Sequence, residues 1–278
     1  MRHHVGVDEE LANALTREWL GADATLTPVE AMNSSTWFVD AAGERYALKV
    51  SNPTDAPGLE AAAWLEARGM RAGAPVRTAV RNGRLVALLR FVEGRELGAA
   101  DVDAIGQTLG RAHRLLVEAP VPAGMDRWPW GWLDPAIIEE PALQSAATTA
   151  IARAQRLAPG LTHGVLQGDP APEAFLDLGG DVALIDWGAA CHGPLLYDVA
   201  SAWMYVRQDA RLIDAYSVAG PLGADELAHT PDFLAFRWAV QAWYFSSRLA
   251  ANDLTGIDSQ ADNEEGLADA RLGLLGAD

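Results

Sequence analysis

The chain has 278 residues, half of them hydrophobic, which is enough for one large domain or two lobes. Its formal net charge of −17, from 38 acidic against 21 basic side chains, excludes the clustered Lys and Arg face of a nucleic-acid binder and attraction to an anionic membrane. With a single cysteine, Cys191, it has no disulfide within the chain and no cysteine-built metal site. No apolar run is long enough to span a bilayer and the N-terminus lacks a signal-peptide core, so the expected setting is cytoplasmic. The acidity serves solubility, and equally would draw a cationic partner over long range.

In chain order, Asp8 to Leu20 reads as an amphipathic helix with Asp8 as its cap. Strand-like runs follow at about 25–31, 36–40 and 45–50, joined by tight turns. The turn Asn33-Ser34-Ser35 can offer backbone N–H groups and hydroxyls to phosphate oxygens, or can be a plain polar turn. The third strand, Tyr46-Ala47-Leu48-Lys49-Val50, carries the only lysine of the sequence. A compact ammonium reaches a phosphate as a point charge, and burying it unpaired in an apolar strand would be costly. Chance retention on a strand face is the plain alternative.

Pro57 to Arg68 reads as a helix, with Glu60 either a partner for Lys49 or a first-turn acid favoured by the helix dipole. Residues 76–80 and 85–92 flank Asn82-Gly83, a strong hairpin signal. Residues 1–92 therefore form a small α+β unit. Residues 93–97 leave the sheet, and 98–278 are mostly helical, with helices over 101–117, 136–157, 195–207, 209–218, 225–229, 232–252 and 262–275. Between them, the segment holding Trp128, Trp130 and Trp132 reads as an ordered loop, because three tryptophans want burial or a ligand. His113, His192 and His229 stand alone and read as structural.

One stretch organises the second unit. Val165-Leu166-Gln167-Gly168-Asp169 delivers an aspartate into a bend, and Val182-Ala183-Leu184-Ile185-Asp186-Trp187-Gly188 delivers another. Between them lie strand, Gly-Gly turn and strand, a hairpin that brings its outer ends together. Asp169 and Asp186 are thus expected to be neighbours, suited to a divalent metal or to one base beside one metal ligand; two ordinary turn aspartates are the alternative. There is no P-loop, no Gly-x-Ser-x-Gly elbow and no His-Glu-x-x-His.

The ordered set, from the Asn-Ser-Ser turn through Lys49, Glu60, Leu-Gln-Gly-Asp-Pro-Ala-Pro-Glu-Ala-Phe-Leu (166–176) and Leu-Ile-Asp-Trp-Gly to Tyr-Asp-Val-Ala (184–200), resembles the aminoglycoside phosphotransferase and choline kinase group, relatives of the protein kinases. The resemblance covers about residues 25–250. It implies a bilobal protein-kinase-like α+β fold: a small antiparallel-sheet N-lobe (1–92), a hinge (93–97) and a helical C-lobe (98–278). It also implies ATP and Mg²⁺ as cofactors and a small-molecule hydroxyl as acceptor. By the same resemblance Asn33, Ser34, Ser35 and Lys49 would hold the phosphates, with Glu60 as the helix partner of Lys49. Phe91, Val92 and Glu93 would bind adenine through the backbone. Asp169 would be the catalytic aspartate that accepts or orients the acceptor hydroxyl proton, Asp186 the Mg²⁺ ligand, and Asp198 the buried acid that steadies the catalytic loop.

Two positions depart from the family pattern. Gln167 stands where the motif has His, and a Gln amide can serve the same structural hydrogen bonding. Ala174 stands where a metal-binding Asn is expected, and Glu173, a hard oxygen donor, is the candidate substitute. The acceptor is expected against Trp128, Trp130, Trp203, Tyr205, Asp232, Trp238 and Trp243, a mixture of aromatic walls and an acid that suits a cation. An aminoglycoside or a basic cyclic peptide such as capreomycin or viomycin would fit, hence antibiotic resistance by O-phosphorylation. An amino alcohol, a sugar or a macrolide stays open, as do a monomer or homodimer, and a non-catalytic binding protein on the same scaffold.

Overall fold

The structure is a computed structural model that describes residues 2–29 and 34–276; Asn33 lies outside the described residues. Helix α1 (Arg2–Leu20) leads into a five-stranded antiparallel sheet built from β1 (Thr25–Val29), β2 (Ser35–Ala41), β3 (Glu44–Ser51), β4 (Pro75–Arg81) and β5 (Arg84–Arg90) in the order β1-β2-β3-β5-β4. Helix α2 (Ala56–Glu66) is inserted between β3 and β4. The β4–β5 turn is made by Asn82 and Gly83, both at positive φ (52° and 74°), as the Asn-Gly signal requires. α1 begins six residues before the expected start, so Asp8 is not its cap. Buried inside the helix's span, Asp8 accepts from Nε and Nη2 of Arg84 (3.1 and 2.9 Å) and from the Ser35 hydroxyl (2.9 Å).

Strand alternation sorts the two faces of this sheet. Trp37, Val39, Leu48, Val50, Val86 and Leu88 pack against Leu11, Ala12 and Leu15 of α1. The residues between them, Thr36, Phe38, Ala47, Lys49 and Ala87, lie on the opposite face, since Thr36 and Ala87 are the direct cross-strand partners of Lys49 and Phe38 that of Ala47.

The second unit contains α3 (Val102–Leu116), α4 (Pro141–Leu157), α5 (Leu196–Tyr205), α6 (Arg211–Ala219), α7 (Ala224–Leu227), α8 (Thr230–Ala250) and α9 (Gln260–Leu275) around one large core. α4 starts later than expected, at Pro141, after a 3₁₀ turn at Pro135–Ile137, because Pro141 is seated at the first turn. The short β6 (Arg95–Glu96) pairs with β8 (Phe175–Asp177), which pairs with β9 (Val182–Leu184). β7 (His163–Leu166) pairs with β10 (Cys191–Pro194). Residues 91–94 lie between the two units and belong to neither sheet. Among the described residues no helix is long and apolar enough to cross a membrane.

Helix α2 bridges the halves. Its Ala61, Ala62 and Leu65 sit in the large core, and the Trp64 indole donates to the Leu115 carbonyl of α3 at 3.1 Å. Gly58 lies so close to the Asp186–Gly188 turn that a Cβ there would stand 1.9 Å from the Trp187 carbonyl oxygen, so no other residue fits without moving the helix.

Candidate active site

The two outer ends of the β8–β9 hairpin do meet, and Gln167 joins them. Its amide nitrogen donates to the carbonyls of Ile185 (3.2 Å) and Asp186 (2.6 Å), while its amide oxygen accepts from the Asp169 N–H at 2.7 Å. One side chain thus ties the loop carrying the first aspartate to the turn carrying the second, which a Gln does with one donor end and one acceptor end. Asp198, on α5 and wholly buried, accepts from the backbone N–H of Gln167 (2.7 Å) and Gly168 (3.0 Å). It also faces His113 Nε2 at 3.3 Å, and His113 Nδ1 contacts the Tyr216 hydroxyl at 2.8 Å. His113 is therefore structural, as its isolation in the sequence suggested. Gly168 has φ +91°, and a Cβ there would lie 2.1 Å from the Ala189 carbonyl, so the turn before Asp169 admits only glycine.

Across the cleft, Lys49 Nζ donates to Asp186 Oδ1 at 2.7 Å. This bond links the first unit's sheet to the second unit's turn. Asp186 sits in the left-handed region (φ 60°, ψ 69°) and is more than half exposed toward the cleft. Strain of this kind is tolerated when surrounding structure over-determines the residue, here through Gln167 and the Gly58 contact.

Other expected positions fall differently. Glu60 is exposed and makes no ion pair among the described residues; the acid on Lys49 is Asp186. A second acid that the sequence reading passed over, Asp55, stands at the entrance to α2 without capping it. Asp55 Oδ2 and Asp186 Oδ1 each lie 3.8 Å from where a Cβ on Gly188 would be. Burial raises the Asp55 carboxyl above its ordinary range, against the Ser51 and Thr54 hydrogen bonds and the charge of Lys49, with Asp186 adding to the rise.

Ser35 is turned away from Lys49, because it alternates onto the α1 face and its hydroxyl is bound to Asp8. The Ser34 hydroxyl lies 3.0 Å from that of Thr36. Phe91 meets Phe38 edge to face at 5.4 Å, with the Arg45 guanidinium over both rings. Val92 is half-buried and Glu93 exposed. Ala174 is buried, and Glu173 is exposed. Among the described residues no three His, Cys, Asp or Glu side chains gather as a metal set, so Glu173 does not join Asp55 and Asp186 in one.

Of the seven residues expected to line the acceptor site, only Tyr205 touches Asp169, donating to Oδ1 at 2.6 Å. Trp128 and Trp130 pack edge to face at 5.1 Å and both meet Phe236; Trp130 also donates to the His192 carbonyl. Trp243 packs on Trp132 at 4.8 Å, and Trp203 donates to the Asp209 carbonyl. Trp238 lies over Gly273 of α9, and Asp232 is held by Arg153 and His229. None of these six hydrogen-bonds or ion-pairs with Asp169.

A further residue at Asp169, Arg237, belongs to no motif in the sequence. It is buried on α8, and its Nη2 donates to Asp169 Oδ1 and to the Tyr205 hydroxyl, both at 3.0 Å. Burial works against its charge, but the Asp169 carboxylate that accepts from it helps to hold its pKa above the ordinary value. Burial likewise raises the Tyr205 phenol, which therefore stays a neutral donor. The available signal was one charge inside the apolar run Phe233 to Val240.

A family model described as "Phosphotransferase enzyme family" matches residues 25–229. No curated protein matches the sequence. Among solved structures, a microcompartment-associated aminopropanol kinase has a TM-score of 0.74 at 17% identity, over 96% of this chain and 95% of its own. An amicoumacin kinase in complex with AMP-PNP, Ca²⁺ and Ami has a TM-score of 0.74 at 17% identity, over 98% and 96%. A choline/ethanolamine kinase family protein from Mesorhizobium loti has a TM-score of 0.69 at 16% identity, over 95% and 94%. At such identities the likeness is one of fold, the bilobal kinase-like fold.

Proposed function

The chain belongs to the phosphotransferase enzyme family, and from that premise we propose that it transfers the γ-phosphoryl group of ATP, as its Mg²⁺ complex, to a hydroxyl of a small cationic molecule. The observation that carries the reading is the 2.7 Å bond of Lys49 to Asp186 across the cleft, with Asp169 tied to the same turn through Gln167. These contacts support a reading in which an ammonium from one lobe and two acids from the other border one space.

The residues fit a metal–nucleotide. Asp186 offers a hard oxygen toward the cleft, and Mg²⁺ commonly takes one or two carboxylates together with substrate phosphates and water. Bound there, Mg²⁺ would neutralise charge on the transferring phosphates. Lys49 would release Asp186 and turn its ammonium to the phosphate oxygens; Asp55 stands ready beside the vacated carboxylate. The edge-to-face Phe38 and Phe91, with the unpaired backbone of 91–94, would receive the adenine. Asp169, half-exposed, would accept a hydrogen bond from the acceptor hydroxyl and aim its oxygen at the phosphorus, so that positioning and electrostatics carry the rate.

A cationic acceptor is supported by the net charge of −17, which concentrates cations near the surface. Amino alcohols, aminoglycosides and basic cyclic peptides are the classes to test, and an antibiotic acceptor would make the chain a cytoplasmic resistance enzyme. The test is transfer of label from [γ-³²P]ATP to a panel of these compounds. Label on a hydroxyl of one of them, lost in Asp169→Ala, is expected. Buried Ala174 and exposed Glu173 favour a second reading, a nucleotide-binding scaffold without catalysis. Tight Mg-ATP binding with no transfer to any member of the panel would establish that one instead.

A further inference from the structure

Arg237, Tyr205 and Asp169 form a closed set of contacts. Arg237 Nη2 donates to Asp169 Oδ1 at 3.0 Å, the Tyr205 hydroxyl donates to the same Oδ1 at 2.6 Å, and Nη2 reaches the Tyr205 oxygen at 3.0 Å. Both donors fall on one carboxylate oxygen, and Oδ2 takes part in none of these bonds. The two donors come from packed helices, the last residue of α5 and the middle of α8, whereas Asp169 is on a loop. The backbone of that loop is pinned separately by Gln167 and Asp198.

Arg237 is an expensive residue for this place. Only 9% of its side chain is exposed, and its Nε has no hydrogen-bond partner. Burying one partner of an ion pair is weak evidence for stability, since apolar residues of similar volume often serve stability as well or better. Its neighbours Phe236, Tyr197 and Phe233 already close the α5–α8 interface. What an apolar replacement could not do is hold one oxygen of Asp169.

We infer that Arg237 is a positioning residue of the phosphotransfer site, acting with Tyr205 to lock Asp169 Oδ1 so that Oδ2 alone faces the acceptor hydroxyl. In the transfer step the acceptor oxygen forms a bond to the γ-phosphorus as the bond from phosphorus to the β–γ bridging oxygen breaks. That electron pair leaves on ADP, and the hydroxyl proton passes toward Oδ2. A carboxylate free to rotate would spend most of its time with neither oxygen aimed at the attacking group, and misplacement by about 1 Å can cost about a hundredfold in rate. The inference rests on the phosphotransferase reading above.

The experiment measures ADP formation from Mg-ATP, with water and with every panel compound the wild type phosphorylates. It compares wild type, Arg237→Met, Arg237→Lys and Tyr205→Phe, with Mg-ATP affinity and thermal midpoint for each. Arg237→Met is expected to lose about tenfold to a hundredfold in kcat, with Mg-ATP affinity within about twofold of wild type. Arg237→Lys should recover part of the loss, and Tyr205→Phe should lose several-fold. A purely structural Arg237 would lower the midpoint and leave kcat per folded molecule unchanged, and folded Arg237→Met with wild-type kcat would overturn the inference. If Arg237→Met does not fold, Tyr205→Phe decides: an unchanged kcat overturns the clamp, and a kcat lowered at unchanged affinity supports it. Wild type that binds Mg-ATP and forms no ADP would overturn the phosphotransferase reading and the clamp together, whereas an active wild type with equally active variants overturns the clamp alone.

Discussion

Removing the Asp198 carboxylate should loosen the catalytic turn and the fold together. Its two oxygens accept from the backbone N–H groups of Gln167 at 2.7 Å and Gly168 at 3.0 Å, at a site with no solvent exposure. In Asp198→Ala both donors lose their partner, and leaving a buried donor unsatisfied costs about 1–3 kcal/mol. The Gln167 donor is buried and the Gly168 donor half-buried, so the two together give a loss of about 2–4 kcal/mol, which for a chain of this size lowers the unfolding midpoint by roughly 4–16 °C. Asp198→Asn keeps one acceptor oxygen and turns an NH₂ toward the other donor, so a loss of about half that size is expected. Thermal unfolding followed by near-UV circular dichroism on the three proteins provides the comparison, with turnover measured well below every midpoint. An Asp198→Ala protein that unfolds within about 2 °C of wild type would refute the claim that this carboxylate anchors the turn.

Three further outcomes follow from the same geometry. Gly58→Ala places a methyl 1.9 Å from the Trp187 carbonyl oxygen, which is backbone and cannot rotate aside; it should cost at least about 1–3 kcal/mol in chemical denaturation and weaken Mg-ATP binding by displacing α2 from the Asp186 turn. Gln167→Ala strips partners from the Asp169 N–H and the Asp186 carbonyl and should lower both midpoint and kcat, whereas Gln167→Asn, too short to span the two loops, should recover little of either. Asp55→Asn removes a carboxylate whose folded pKa burial has raised. A raised carboxyl costs stability once ionised, and that cost is absent below its unfolded pKa. The variant should therefore unfold at a higher temperature than wild type at pH 7–8, by a small margin because Asp55 is only partly buried, and the gap should close as pH falls toward 4.

Much of the frame was legible from periodicity and turn chemistry. Alternation placed β1, β2, β3 and β5, Asn82-Gly83 marked a hairpin, and the Gly-Gly turn between two apolar runs put Asp169 near Asp186. What escaped has physical reasons. Ser35 lies in a polar turn by composition, but one residue of register turns it to the α1 face. The pairing of β6 with β8 involves two charged residues and carries no apolar pattern to read. Tryptophans look alike in sequence whether they bind a ligand or fill a core, and here Trp130 lies in the core while Trp128 and Trp132, half-buried, pack against it. Arg237 needed the α5–α8 packing to show what it faces, and Asp55 resembled an ordinary residue before a helix until the Gly188 turn came against it.

A phosphotransfer site here requires that the Asp186 carboxylate and the Lys49 ammonium share one metal–nucleotide. Calorimetric titration with ATP, in excess Mg²⁺ and in excess EDTA, reads this directly on wild type, Asp186→Asn and Lys49→Met. Wild type should bind ATP far more tightly with Mg²⁺ than without; Asp186→Asn should bind with little regard to Mg²⁺, and Lys49→Met weakly in both. Wild-type binding that is indifferent to the metal, or an Asp186→Asn protein that keeps the full Mg²⁺ dependence, would contradict it.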